Sequence, residues 1–356
     1  MEGDDECVVE NREWYLAAYS TEGVPTSDHL KLRTVRISLA SHSIPDGHVA
    51  VETLFLSVDP YIRTMLTGTL DGLYIEQFQL NHVITAFAVG RVITSKHGNN
   101  NNFVVGDFVL IPSAPVAEYS IVPATKILRK IDAATGISLP EYLGSLGVPG
   151  FAAWVAIEVL ADPKPGSNVF ISAASGAVGI IAGQLAKLRG CRVIGSTGSD
   201  HKVELIKEEL GYDDGFNYNK ESDFDAALTK YFPDGIDVYL DNVGGKMLEA
   251  VLNHVNKYAR IPLCGMISQY NKVWTEREGV RNLLNMIGKE VRMEGFMLAS
   301  HWHRFGDFAK DMEGHIKQGK LKSKNKINLG IESFLDSLIS LFTSSNVGKV
   351  IVQVKA

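Results

Sequence analysis

The stretch ISAASGAVGIIAGQLAKLRGCRVIGSTGSDHK, residues 171–202, decides the fold of this 356-residue chain. It opens on the end of a short apolar strand, NVFISA (168–173), and passes through a glycine turn. It then takes up the helical pattern AVGIIAGQLAKLRG as far as Gly190. A second apolar strand, CRVIGST, follows, and a second helix starts at SDHK. Within the turn, Ala174-x-Gly176-x-x-Gly179 meets the spacing of a dinucleotide fingerprint, with alanine in the first glycine slot. Gly176 lets the backbone approach a pyrophosphate, Gly179 lets the helix pack closely on the strand, and the helix N-terminus offers amide donors.

Downstream the alternation continues. The helix SDHKVELIKEEL is followed by a turn at GYDDGFNY, the strand IDVYLDNV (236–243), the helix GKMLEAVLNHV and the strand ARIPLCG (259–265). Apolar strands alternating with amphipathic helices imply a parallel sheet covered on both faces. Upstream, to about residue 135, short runs are separated by Gly, Pro and Asn: VAVETLFLSV (49–58), FAVGRVIT (87–94), DFVLIP (107–112) and AEYSIV (117–122). HGNNNNF (97–103) reads as a surface loop tip. After about residue 317 short elements return and the chain closes on the strand-like GKVIVQVKA. The tail is expected to rejoin the N-terminal domain.

Hydrophobic residues make up 45% and charged residues 21%, a globular balance, and the length suits two domains. A net charge of −6 offers no basic face for nucleic acid, and KLKSKNK (320–326) reads as a solvated loop. No apolar run approaches the roughly 18 residues that span a bilayer, and MEGDDECVVE has no secretory apolar core. Three scattered cysteines, Cys7, Cys191 and Cys264, suit a reducing cytoplasmic setting and form no C-x-x-C motif.

An NAD-selective site places Asp or Glu at the end of the second strand, bonded to the ribose 2′-hydroxyl. Here that segment is GSTGSDHK. Asp200 stands where the next helix begins and reads as its N-cap. Ser196, Thr197 and Ser199 offer hydroxyls, Gly198 an unhindered backbone and Lys202 a positive charge, a set suited to a 2′-phosphate. The expected cofactor is NADPH.

Catalytic zinc needs three Cys, His or acidic ligands and an open position. Cys7 precedes the fold, Cys191 and Cys264 read as strand residues of the dinucleotide sheet, and His82 (LNHVI) has no acid beside it. His301 and His303 (HWH) read as surface histidines, so no metal site is expected. Hydride addition to a conjugated C=C suits such a site, because the charge moves onto an enolate oxygen that one or two hydrogen bonds can stabilise. Tyr270 follows the strand ARIPLCG on the side where a parallel sheet presents its carboxyl ends, and a neutral phenol can supply such a bond.

SVDPYIR, GVPGFAAW, AASGAVG, GSTGSDHK, DNVGGKMLEAVL, CGMISQYN and NVGK resemble the zinc-independent medium-chain reductases, and within them the plant NADPH-dependent alkenal and double-bond reductases, relatives of the prostaglandin reductases. The resemblance covers nearly the whole chain and is strongest over 147–296. It implies an α/β fold: a Rossmann-type doubly wound parallel sheet (140–317) binding NADP(H), and a β-rich GroES-like catalytic domain formed by 1–139 and the tail 318–356. It implies that Tyr61 lines the nicotinamide and substrate cleft. Ala174, Ser175, Ala177 and Val178 would surround the pyrophosphate beside Gly176 and Gly179. Gly198, Lys202 and Tyr218 would hold the 2′-phosphate and adenine ribose. Asn242, Cys264, Phe296, Met297, Leu298 and Asn346 would complete the cofactor site, and Tyr270 would act beside the nicotinamide ribose and the substrate carbonyl. The substrate is then a small enal or enone, and the assembly a homodimer.

One departure bears on activity. Close members of the family carry a tyrosine in a GYGV segment that contacts the substrate oxygen, whereas AFAVG puts Phe87 there. FQLNHVI before it also departs from the family's proline- and glycine-containing version. Either the substrate sits differently or activity on simple enals is reduced; losing one such donor costs roughly 3 kcal/mol. A zinc-free NADPH quinone reductase and a non-catalytic NADPH-binding protein remain alternatives.

Overall fold

The computed structural model describes residues 7–69, 76–96 and 103–355; the asparagine-rich loop expected at 97–103 lies, apart from Phe103, outside them. By contact the chain divides into two units, Met1–Leu143 with Lys326–Ser345 and Val350–Ala356, and Gly144–Asn325 with Asn346–Lys349.

The first unit begins with β1 (Val8–Leu16) paired antiparallel to β2 (Leu30–Ser38). β3 (His48–Val58), the single turn α1 (Tyr61–Thr64), β4 (Thr85–Lys96), β5 (Phe108–Pro115), β6 (Tyr119–Pro123) and β7 (Arg129–Ile131) follow. The second unit runs α2 (Val148–Trp154), β8 (Asn168–Ile171), α3 (Ala177–Leu188), β9 (Arg192–Thr197), α4 (Asp200–Glu208), β10 (Asp214–Asn217), α5 (Phe224–Tyr231), β11 (Ile236–Leu240), α6 (Gly245–His254), β12 (Val255–Leu263), α7 (Leu284–Lys289), β13 (Arg292–Gly295) and α8 (Phe305–Lys317). The chain then returns as β14 (Asn325–Leu329), α9 (Phe334–Ser340) and β15 (Lys349–Gln353).

In the first unit the strands order as β14-β15-β3-β4-β5-β7, with β6 also on β3. KVIV of β15 is buried at every position, and the strand pairs with β14 on one edge and β3 on the other. The core packs Trp14, Leu16, Val58, Ile84, Ile111, Phe334 and Val352 together, and Trp14 Nε1 donates to Ile331 O at 2.8 Å. Each fully buried aliphatic side chain there contributes about 1.5–3 kcal/mol.

The second unit is a six-stranded parallel sheet in the order β10-β9-β8-β11-β12-β13. Phe170 lies at its heart, stacked on Tyr239 at 5.1 Å and on Phe216 at 5.8 Å. The α3 sequence is apolar on nearly every face, and Gly179 through Ala186 are all buried. Its glycines set how close it comes. A Cβ on Gly179 would lie 2.5 Å from Ala173 O, and one on Gly183 about 2.1 Å from the Tyr212 ring.

Four sequence readings need correction. GYDDGFNY is not only a turn: Asp214–Asn217 pairs with β9 as β10, too short and polar for its periodicity to show. Asp200 is not the cap of α4; Ser199 is, its Oγ accepting from Lys202 N, and Asp200 is the first helical residue. Cys191 and Cys264 lie just before β9 and just after β12 rather than within them. Residues 318–325 and 346–349 pack with the second unit, not the first. Gln184 on α3 exchanges two hydrogen bonds with the Lys322 backbone, both 2.8 Å, and Gly348 N donates to Ser175 O at 2.8 Å.

Candidate functional site

From β8 the chain passes through α3 to β9 and β10 on one side, then crosses to β11, β12 and β13 on the other. The strand order therefore reverses between β8 and β11. Their carboxyl ends diverge into a crevice, the place where open parallel sheets bind ligands.

On the β8 side, Ser172 and Ala173 lead into the glycine turn, and Ala173 adopts φ 50° to make it. Ala174 N is tied to Ser196 O at 2.9 Å, which draws the turn towards β9. Gly176 caps α3 in an extended conformation with no side chain over the helix end. The helix thus presents bare first-turn amides and its positive dipole end, from Ala177, Val178 and Gly179. A Cβ on Gly176 would come within 3.1 Å of Ala173 O. Gly348 forms a parallel bridge with Gly176, which brings the segment carrying Asn346 beside Ser175 and Gly176.

At the end of β9, Ser196 and Thr197 are buried, Thr197 Oγ1 donates to Ser199 O at 3.1 Å, and Gly198 follows. The nearby acid is diverted: Asp200 accepts from Lys220 and from Asn217 Nδ2, and the Lys220 bond holds its pKa below the usual range. Lys202, two residues further along the first turn, is 92% buried; burial lowers its pKa. Tyr218 opens the turn after β10, and Asn219 Nδ2 donates to Gly198 O at 2.8 Å, so the two loops are joined. Gly198, Lys202 and Tyr218 thus belong to neighbouring loops at one end of β9 and β10.

On the β11 side, Asn242 is held by both groups of Ser172: its N donates to Ser172 Oγ at 3.0 Å and its Nδ2 to Ser172 O at 2.8 Å. Cys264 N donates to Asp241 O at 2.9 Å, and burial together with the charge of Asp241 pushes the thiol up to about 12. Tyr270 Oη accepts from Met266 N at 3.1 Å, folding the phenol back onto the turn that leaves β12. Phe296, Met297 and Leu298 follow β13 and are half-buried, with Phe296 edge-on to His301 at 6.3 Å. These residues leave the carboxyl ends of β11, β12 and β13, the edge that also carries the glycine turn.

The sequence reading passed over Asp241. Its carboxylate is buried at the crevice, its Oδ1 accepts from Tyr239 Oη, Val243 N and Gly244 N, and burial raises its pKa. An aspartate directly after an apolar strand and three residues before a glycine pair is the signature of a side chain capping its own turn, and DNVGG carried that signal.

In the first unit, Tyr61 opens α1 after Pro60; burial, then the Asp59 charge, raises its pKa, so the phenol stays protonated. Ser57 Oγ donates to Asp59. Arg63 is fully buried and donates to Gly23 O and Ser20 O, both at 2.9 Å; burial lowers it to about 10. Phe87 lies on β4, 92% buried. His82 Nδ1 is 3.0 Å from Leu80 O, and among the described residues no three His, Cys, Asp or Glu side chains gather as a metal site.

Residues 177–313 match the zinc-binding dehydrogenase family and residues 12–130 the N-terminal domain of oxidoreductase family. The chain is 42% identical to a 2-alkenal reductase (NADP(+)-dependent) of Nicotiana tabacum, covering 97% of this chain and 98% of that one. It is 39% identical to (+)-pulegone reductase of Mentha piperita, over 98% and 99%. CurA of Vibrio vulnificus, solved in complex with NADPH, superposes with a TM-score of 0.86 at 34% identity, over 97% and 99%. The chain belongs to the medium-chain dehydrogenase/reductase family, in its branch of double-bond reductases.

Proposed function

We propose that this protein is an NADPH-dependent 2-alkenal reductase, which saturates the C=C bond of α,β-unsaturated aldehydes and ketones. The observation that carries the cofactor reading is the end of β9, where hydroxyls and Lys202 stand and Asp200 is occupied by Lys220. A 2′-phosphate meets a cation there, and no carboxylate opposes it. The bare amides of α3 and the close backbone at Gly176 fit a pyrophosphate. The NADP-dependent relative and the NADPH-bound neighbour support the same cofactor.

In this reading Ala174, Ser175, Gly176, Ala177, Val178 and Gly179 hold the pyrophosphate, and Gly198, Lys202 and Tyr218 the phosphorylated ribose. Asn242, Cys264, Phe296, Met297, Leu298 and Asn346 complete the nicotinamide half. Bound NADPH supplies a hydride for the β-carbon of the substrate. Tyr270 then donates a hydrogen bond to the enolate oxygen that develops, and the α-carbon takes a proton from solvent. We assign Tyr61 and Phe87 to substrate binding; the protonated phenol of Tyr61 offers a second donor, and Phe87 an apolar wall. The N-terminal unit would be the catalytic domain and the parallel-sheet unit the NADP(H) domain. The match to an alkenal reductase and to pulegone reductase, an enone-type activity, supports this substrate class.

We further infer a homodimer in the plant cytoplasm. β13 is an edge strand, and α7, the helix before it in the chain, leaves Leu284 and Ile287 each 75% exposed, an apolar face suited to a second copy. The cysteines are free, and no described helix is long and apolar enough to cross a membrane. Light scattering should give twice the chain mass, and a single-chain mass at micromolar concentration contradicts the dimer.

Lys202→Ala should lower the preference for NADPH over NADH by about 10- to 100-fold, the effect of one charge-assisted hydrogen bond of about 1.5–3 kcal/mol. Steady-state kinetics with both cofactors reads it, and an unchanged ratio removes Lys202 from the phosphate site. Tyr270→Phe should lower kcat by about 100-fold while changing the NADPH dissociation constant far less. Equal kcat in variant and wild type assigns the enolate contact elsewhere.

A further inference from the structure

Asp241 is a buried carboxylate at the strand reversal, and the chemistry above does not use it. Its backbone is fastened to the end of β12 on both sides: N donates to Pro262 O at 3.0 Å, and O accepts from Cys264 N at 2.9 Å and Gly265 N at 3.1 Å. Its Oδ1 accepts from Tyr239 Oη at 2.8 Å, Val243 N at 2.9 Å and Gly244 N at 2.8 Å, with Ser172 Oγ at 3.5 Å. Tyr239 Oη also lies 3.1 Å from Ser172 Oγ, the atom that receives Asn242 N. Oδ2 is buried and has no hydrogen-bond partner among the described residues.

One residue therefore joins the ends of three strands: its backbone is bonded to the end of β12, and its carboxylate holds the turn after β11 and approaches Ser172 after β8. Ser172 leaves β8, Asn242 follows β11, and Cys264 starts the turn that places Tyr270. Burying a carboxylate is costly, and its unpaired Oδ2 adds to the cost without serving the turn. A neutral acceptor would satisfy the three donors on Oδ1 as a simple cap does. The outlay is intelligible where the three strand ends must keep a fixed spacing.

We propose that Asp241 is a positioning residue for the reductase. It sets the distance between Asn242 and the Cys264–Tyr270 turn, and so the fit of the nicotinamide half of the cofactor and the placement of the Tyr270 phenol. This rests on the reductase reading above. Asp241 touches neither cofactor nor substrate in this role; it acts through Ser172, Asn242 and the turn after β12.

The test compares wild type, Asp241→Asn, Asp241→Ala and Tyr239→Phe, each confirmed folded by circular dichroism. NADPH affinity is measured by calorimetry without substrate, and kcat and KM are measured separately with hex-2-enal. A loss of geometry should raise the NADPH dissociation constant and lower kcat at saturating NADPH, together roughly 10- to 100-fold in Asp241→Ala. Asp241→Asn, which keeps an oxygen acceptor, should restore part of both, and Tyr239→Phe should show a smaller loss of the same kind. Variants that melt earlier yet keep wild-type affinity and kcat reduce Asp241 to a structural cap and overturn the proposal. If Asp241→Ala does not fold, Tyr239→Phe and Ser172→Ala decide in the same way, since each removes hydrogen bonds of this network and keeps the carboxylate. Wild type that binds NADPH but reduces no enal defeats the reductase reading, whereas the calorimetric comparison still decides whether Asp241 positions the cofactor site.

Discussion

A parallel sheet built outward from β8 in both directions forces the chain to cross itself once, and the crossing leaves the ends of β8 and β11 facing a gap. Backbone groups there cannot all pair with a neighbouring strand. This protein closes the gap with side chains: Ser172 on one lip, Asp241 and Asn242 on the other, and Tyr239 beneath them. The glycine turn, the exit from β12 and the Gly348 segment are all hydrogen-bonded to these lips or to the turn above them. Remove that closure and the proposed cofactor residues, which come from seven separate stretches of chain, lose their common frame.

Charge then selects among the ligands that the frame admits. A positive helix end stands after β8 and a buried lysine after β9, while the acid nearby is paired with Lys220. Two ionisable groups are held neutral, Cys264 at the end of β12 and Tyr61 in the first unit. Cys264 is pushed up to about 12 and stays a thiol at physiological pH, so it is a poor nucleophile towards an electrophilic enal. Tyr61 is held protonated by burial and by Asp59. In the proposed complex the phosphates would thus meet fixed positive groups, and the conjugated carbonyl neutral donors.

Much of this was legible in the sequence because it rests on local pattern. The β8–α3–β9 unit shows in its apolar strands and glycine spacing, and β3, β4, β5, β6 and β11 in apolar runs bounded by punctuation. What escaped depends on tertiary partners. Asp214–Asn217 is a strand only because β9 lies beside it, and Ser199 rather than Asp200 caps α4 because Lys220 and Asn217 draw the acid away. The return of 346–349 to the glycine turn is a matter of one backbone bond from Gly348, which no periodicity reveals. Asp241 is the instructive omission. Its neighbours in sequence form a turn motif, but its burial and its links to Ser172 and the end of β12 exist only in the folded sheet.

Where the hydride goes is the most direct test of the whole account. NADPH deuterated at the transferable C4 position would be incubated with the protein and cinnamaldehyde, and the label located in the product by mass spectrometry. The account predicts deuterium on the β-carbon of the saturated aldehyde. Deuterium on the carbonyl carbon of the unsaturated alcohol would contradict it.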